Sequence, residues 1–268
     1  MLTPIVREYY RRYGERIGVD TLFLDVFKNN PYVTRLSDNS EIINLDGCYE
    51  KNFDIHPIEM YALKVFGDVD FIAGKSMELF TTRNDKKFVD NFLKSKSINS
   101  RPIMVLHFSR TWAKLKEEIL DKITHWFLNM DFCVIVIGSG HQDEYFPYKI
   151  IDNNLIFVVN WDIQKVKCLM ERSDIYFGCD GGVSHIASTC KNLRQVVCFG
   201  AINPEFRKPF DKDIFISITG ECDDKFCAEK NKKILSNGEC CGISCDKDYK
   251  CTREITFENI IDKVNELW

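Results

Sequence analysis

The chain has 268 residues, 45% of them hydrophobic and 28% charged, a balance that fits one large globular domain or two ordinary ones around a sizeable core. A formal net charge of -4 gives no reason to expect a nucleic-acid partner. No apolar run reaches the length of a membrane span, and the first residues lack a signal-peptide pattern, so a cytoplasmic location is the expectation.

Residues 4–13 read as a helix, with Arg7, Arg11, Arg12 and Arg16 giving a basic face. Such a face is usually solvated; the alternative is peripheral contact with an anionic glycolipid surface. Strands are expected at 20–24 and 41–45, with a turn at Asn29-Asn30-Pro31 between them. Helices are expected at 57–66 and 85–94. The polar stretch 94–101 reads as a boundary, dividing residues 1–97 from 98–268.

The second part is more regular. Apolar runs at 103–107, 132–137, 156–159, 175–177 and 196–199 read as strands covered on both faces. Helices are expected between them at 113–130, 163–171 and 183–190. The first of these places Leu115, Ile119, Ile123 and Trp126 on one face. A last helix, 257–268, is expected to bury Ile260, Ile261, Val264 and Leu267. Strands alternating with helices predict a parallel, doubly wound α/β sheet, and such sheets bind ligands at the carboxyl ends of their strands.

Twelve cysteines need a reading. Cys133 and Cys198 lie in buried strands, where a thiol behaves as a small hydrophobe. Six others crowd the tail as C-x4-C-x12-C-C-x3-C-x5-C, from Cys222 to Cys251. Unbridged strand cysteines fit a reducing compartment, where a tight cluster points more to metal than to disulfides. Four thiolates, with Cys222, Cys227, Cys241 and Cys245 as the candidate set, would hold structural zinc or iron. Disulfides and unpaired thiols stay open as alternatives.

The segment Cys179-Asp180-Gly181-Gly182-Val183-Ser184-His185-Ile186-Ala187 follows a strand and opens a helix. Glycines there let a ligand approach the backbone, and the free N–H groups of a helix start favour phosphate. Alone, a Gly-Gly turn is more often just a tight connection.

Its context changes that. The run D-G-G-V-S-H-I-A, then F-G-A-I-N-P-E-F-R-K-P at 199–209, resembles the signature of the ADP-heptose:lipopolysaccharide heptosyltransferases, glycosyltransferase family 9. That family reads D-[ST]-G-x-x-H-[LI]-A, followed by F-G-x-T-x-P. Asp180, Gly182, His185, Ala187, Phe199, Gly200 and Pro204 match. Gly181 stands where the family has Ser or Thr. Upstream, VLHFSRTW at 105–112 is similar to the family's H-x-G-x-S…K-x-W loop. TPIVREYYRRYGER, NNPYVTRL and HPIEMYALKVFG resemble its N-terminal segments more weakly.

The resemblance implies a GT-B-like α/β fold of two Rossmann-like, doubly wound domains, the N-terminal one reduced because the family's first strand is missing. It implies inverting transfer of heptose or a related sugar from a nucleotide-diphosphate donor, ADP-sugar favoured, to a glycan, glycolipid or protein acceptor. No cofactor would be needed for catalysis. The implied donor site comprises Ser109, Arg110, Glu144, Trp161, Asp180, Gly181, Gly182, Ser184 and His185. Arg110 would meet the diphosphate, Glu144 the ribose and Trp161 the base. The closing helix would pack back toward the N-terminal domain.

The family's Gly-Asp loop, which supplies a general base ahead of the first helix, has no counterpart in the chain. No motif supports Asp25 or Asp46 in its place, so the catalytic residue is unassigned. The rival readings are a nucleotide-sugar-binding protein without catalysis, and an assembly protein using the cysteine-rich tail.

Overall fold

A computed structural model describes residues 1–35, 42–48, 54–98, 100–109, 113–140, 144–210, 212–234, 240–243 and 245–268; residues 229, 231–234 and 240–243 are described by backbone alone. The chain opens with helix α1 (Thr3–Tyr13), which has Pro4 in its first turn and stops where Gly14 turns left-handed, its N–H donating to the Tyr10 carbonyl at 2.8 Å. Strands β1 (Ile17–Gly18) and β2 (Val33–Thr34) pair in parallel. Helix α2 (Pro57–Phe66) is capped by His56, and helix α3 (Arg83–Ser95) by a Thr82/Asp85 capping box. Ile5, Ile58, Ala62 and Ile72 form a small core beneath α1 and α2.

Neither strand expected in this region forms as read. Residues 42–45 have no regular structure, and residue 41 lies outside the described residues. The apolar run at 21–24 leads into a 3-10 turn, Leu24–Phe27, with Leu22 98% exposed. Its residues suit a strand, but among the described residues no neighbouring strand pairs with them.

The second part is the parallel sheet the alternation predicts, extended by a sixth strand at 215–218 that the sequence did not signal. Its strands are β3 (Ile103–His107), β4 (Cys133–Gly138), β5 (Leu155–Val159), β6 (Ile175–Cys179), β7 (Arg194–Cys198) and β8 (Phe215–Ile218). All neighbours are parallel, in the order β5-β4-β3-β6-β7-β8. Helices α4 (Glu117–Asn129), α5 (Ile163–Met170) and α6 (Gly182–Ser188) join the strands. Alternate strand residues face two cores: Met104, Leu106, Val134, Val136 and Phe177 on one side, Val105, Ile135, Ile137, Tyr176 and Val197 on the other. That is why these strands read as unbroken apolar runs. Val89 and Leu93 of α3 complete the second core, although α3 precedes the expected boundary.

Two helical faces differ from expectation. α4 starts at Glu117, leaving Leu115 buried in the irregular approach, and it turns Leu120, Ile123, Phe127 and Leu128 inward. Ile119 and Trp126 only flank that core. After the short elements α7 (Ala228–Asn231), β9 (Lys232–Ile234), β10 (Cys240–Ile243) and α8 (Lys250–Arg253), helix α9 (Phe257–Asn265) closes the chain. It buries Ile260 and Val264, while Ile261 and Leu267 are half-buried. α9 packs on α4 and β8, with Arg194 donating to the Leu267 carbonyl at 2.9 Å. No described helix is long and apolar enough to cross a membrane.

Candidate functional site

The strand order reverses between β3 and β6, because β4 and β5 extend one way from β3 and β7 and β8 the other way from β6. The crossovers leave in opposite directions there, so a crevice opens at the carboxyl ends of these two strands. Ser109 leaves β3 on one side of it, and Asp180, Gly181 and Gly182 leave β6 on the other. The two loops are tied through Cys179: its Sγ accepts from the Ser109 N–H at 3.4 Å and donates to the Ser109 carbonyl at 3.3 Å. Burial pushes that thiol up to about 12, so it stays protonated and acts as a clasp, not a nucleophile.

Two glycines shape the crest differently. A Cβ on Gly178 would strike the Tyr176 hydroxyl and lie 2.5 Å from the His107 carbonyl oxygen, so β3 and β6 approach this closely only because residue 178 is glycine. A Cβ on Gly181 or Gly182 would meet nothing within 4 Å. Those two look into open space.

Polar groups gather beneath this opening. Glu144 bridges to Ser109, accepts the Ser139 N–H at 2.8 Å, and lies 3.5 Å from His107 Nε2. Tyr176 and Asp180 belong to the β6 side. His107 Nδ1, the Tyr176 hydroxyl and Asp180 Oδ1 are all buried without a hydrogen-bond partner among the described residues. Buried polar groups of this kind are costly unless something satisfies them, and a ligand or ordered water is one way to do so.

Charge is shifted in the same place. Burial raises Asp180 to about 6, against the opposing pull of the Arg207 guanidinium. Burial also lowers His185 to about 3, so its ring is neutral, and its Nε2 lies 3.9 Å from Asp180 Oδ1, beyond hydrogen-bond reach. Arg207 is 4% exposed and donates to the Phe206 carbonyl at 2.6 Å. On the other wall, His56 accepts the Ile58 N–H on Nδ1 at 3.2 Å, which leaves Nε2 as the donor to the Lys208 carbonyl at 3.2 Å. Burial lowers His56 to about 4.

The predicted donor residues are therefore partly assembled. Ser109, Glu144, Asp180, Gly181, Gly182 and His185 share the crevice. Arg110 lies outside the described residues. Ser184 is present but occupied: its hydroxyl donates to the Gly181 carbonyl at 2.7 Å and accepts the Gly181 N–H at 3.2 Å, bracing the turn from within. Trp161 stands at the end of β5, two strands from the crevice, and meets Phe88 and Phe92 edge-on at 5.1 and 4.8 Å. It packs α3 against the sheet. The basic face of α1 is also occupied, with Arg7 paired to Glu78 and Arg11 and Arg12 to Glu8.

His107, Tyr176 and Arg207 were not picked out by sequence. Tyr176 looks like one more residue of an apolar strand, and Arg207 has no spacing rule of its own. Gly178 did carry a signal, because a glycine inside a strand marks close backbone approach.

In the tail, Cys222, Cys245 and Cys227 lie near enough to Cys251 to raise its thiol, already pushed up by burial, to about 11. The thiol that joins this group is Cys251, whereas the side chain of Cys241 lies outside the described residues. Among the described residues no three His, Cys, Asp or Glu side chains are spaced to hold a metal ion.

No protein-family model and no curated protein matches the chain. Solved structures do. A family 9 glycosyl transferase from Veillonella parvula superposes over 89% of this chain with a TM-score of 0.59 and 14% identity. The Escherichia coli ADP-heptose lipopolysaccharide heptosyltransferase II covers 80%, with a TM-score of 0.55 and 12% identity. The iron-containing dodecameric glycosyltransferase TibC of enterotoxigenic E. coli covers 98%, with a TM-score of 0.62 and 11% identity. The matches span 64%, 61% and 73% of those longer chains, respectively. At this identity the likeness concerns architecture, and in architecture the chain has the GT-B-like fold of the family 9 glycosyltransferases and ADP-heptose heptosyltransferases.

Proposed function

We propose that the chain is a glycosyltransferase that takes its sugar from a nucleotide diphosphate, ADP favoured, bound over the 179–182 turn. The observation that carries this reading is the coincidence, at the reversal point of the sheet, of the D-G-G-V-S-H turn with buried polar atoms that lack partners among the described residues. The diphosphate lies on the open faces of Gly181 and Gly182, where no side chain stands in its way. Arg110 and the charge of Arg207 offset its negative charge, which helps it depart. Glu144 accepts from ribose hydroxyls, and His185, with its ring neutral, orients the turn and does not act as a base. A heptose or related sugar is transferred with inversion. The acceptor oxygen forms its bond to the anomeric carbon opposite the leaving group, the anomeric carbon–oxygen bond to the diphosphate breaks, and the acceptor proton passes to a base or to water. The acceptor is a glycan, glycolipid or protein.

Calorimetric titration with ADP-sugars and UDP-sugars tests this. Saturable binding, stronger for the ADP series and lost in an Arg110→Ala variant, is the expected result. A folded protein that binds neither series would sink the reading.

A structural metal on the tail belongs to the same proposal. TibC is an iron-containing relative in fold. Thiols provide the donor chemistry for iron or zinc, and the proposed set is Cys222, Cys227, Cys241 and Cys245, of which the Cys241 side chain lies outside the described residues. The ion would hold the tail in place and take no part in transfer.

A further inference from the structure

Beside the crevice lies a cavity of about 460 Å³, walled by residues 201–203 after β7, by 223–228 of the cysteine-rich tail, and by Asp54 from the N-terminal part. Its size is that of a small-ligand site. We infer that this cavity is the acceptor subsite and that it takes the face of a neutral sugar. The inference rests on the glycosyltransferase reading and assigns a partner to it.

Three observations point this way. The first is position: the 201–203 loop leaves β7, which neighbours β6 in the sheet, so the cavity opens on the same rim as the 179–182 turn. The second is charge. Asp54, Asp223 and Asp224 face Lys225 and Lys230, three negative groups against two positive, and Asp224 is already paired with Lys230 at 3.5 Å and Lys247 at 3.1 Å. With Lys247 counted, three carboxylates meet three ammonium groups, so there is no surplus of positive charge to favour a phosphate or another polyanion. The lining offers carboxylate acceptors for hydroxyls, and because the Asn203 oxygen caps the 204–206 turn, that residue offers its NH2 donors.

The third is Phe226, which lines the cavity with its backbone in the left-handed region at φ 62°. A bulky residue holds that conformation only when its surroundings impose it, and such residues gather at binding sites. Here the Lys225 N–H bonds the Cys222 carbonyl at 3.2 Å and the Ala228 N–H bonds the Ala201 carbonyl at 2.8 Å, fixing the wall on both sides of Phe226. An aromatic ring beside hydroxyl-binding carboxylates suits a pyranose, which is apolar on its C–H faces and polar around its rim.

Saturation-transfer NMR of the full chain with methyl glycosides of glucose, galactose and mannose tests the assignment, with ADP and ADP-glucose titrated in parallel. Saturation of the ring protons of at least one glycoside is expected. Phe226→Ala and the milder Asp54→Asn should each weaken it, the former about three- to tenfold, while ADP and ADP-glucose affinities stay unchanged and report an intact fold. Absence of saturation in the parent protein, or saturation unaffected by both variants, overturns the inference. A variant that weakens ADP-glucose but not ADP also overturns it, since the cavity then holds the donor's own sugar. Glycoside binding that obeys the variants, in a protein binding no nucleotide, keeps the sugar site and removes the glycosyltransferase reading.

Discussion

Asp180 and His185 share one turn, and burial pushes them in opposite directions. Asp180 has a raised pKa, so its contribution to stability is full below its ordinary value and is lost as pH rises through about 6. His185 and His56 are lowered to about 3 and about 4, so theirs is full above the ordinary histidine value near 6.5 and is lost as pH falls toward those values. Two outcomes follow at this scale. ADP affinity should drop about tenfold as pH rises through the Asp180 titration, because a carboxylate then faces a diphosphate. Asp180→Asn should bind with a flat pH profile over the same range, and an unchanged profile in the variant assigns the titration elsewhere. Acid should destabilise the protein between pH 6.5 and 4 by about 3 kcal/mol through His56 alone. Urea denaturation of His56→Gln should show a shallower loss across that window, and a parallel curve would remove His56 from the account.

Among elements, β6 and the turn into α6 separate stability from binding. Gly178 faces the Tyr176 hydroxyl and the backbone of β3, whereas Gly182 faces open space. Gly178→Ala should cost about 1–3 kcal/mol or prevent folding, as overpacking does. Gly182→Ala should leave stability within about 1 kcal/mol and still weaken donor binding, because its methyl group occupies the opening. Denaturant midpoints and ADP titrations of both variants decide this; equal losses of stability would mean the crest is packed rather than open. The strands of this sheet were legible in the sequence because burial on both faces writes an unbroken apolar run. Helix faces were less so, since Ile119 and Trp126 are as apolar as Leu120 and Phe127 and only packing selects between them.

Across the whole molecule, polar ties fasten the N-terminal part to the six-stranded sheet, among them Arg172 to Asp90 at 2.8 Å. Gln164 donates to the Asp25 carbonyl at 2.6 Å, His56 contacts the Lys208 carbonyl, and Arg207 reaches the Ile55 carbonyl at 3.5 Å. For the tail, the proposed metal makes its own prediction. Purified protein should carry about one iron or zinc per chain, measured by elemental analysis. Cys222→Ser and Cys241→Ser should each lose it and melt earlier, and metal retained in both variants would remove this set from the account. Chelation should lower the melting temperature without changing ADP affinity, since no tail thiol belongs to the proposed donor site.

The parallel doubly wound sheet, its GT-B-like class, the position of the Asp180–His185 turn after a strand and the run of cysteines in the tail were all legible in the residues. These are written locally, in apolar periodicity, in glycines at a helix start, and in a signature of fixed spacing. Packing between distant segments is what brings His107, Tyr176 and Arg207 near the crevice, sets Trp161 against α3 and turns the Ser184 hydroxyl onto its own turn. Each depends on which strands become neighbours and which helix covers them. That choice is made by burial summed over the whole chain, which leaves no mark on any single residue.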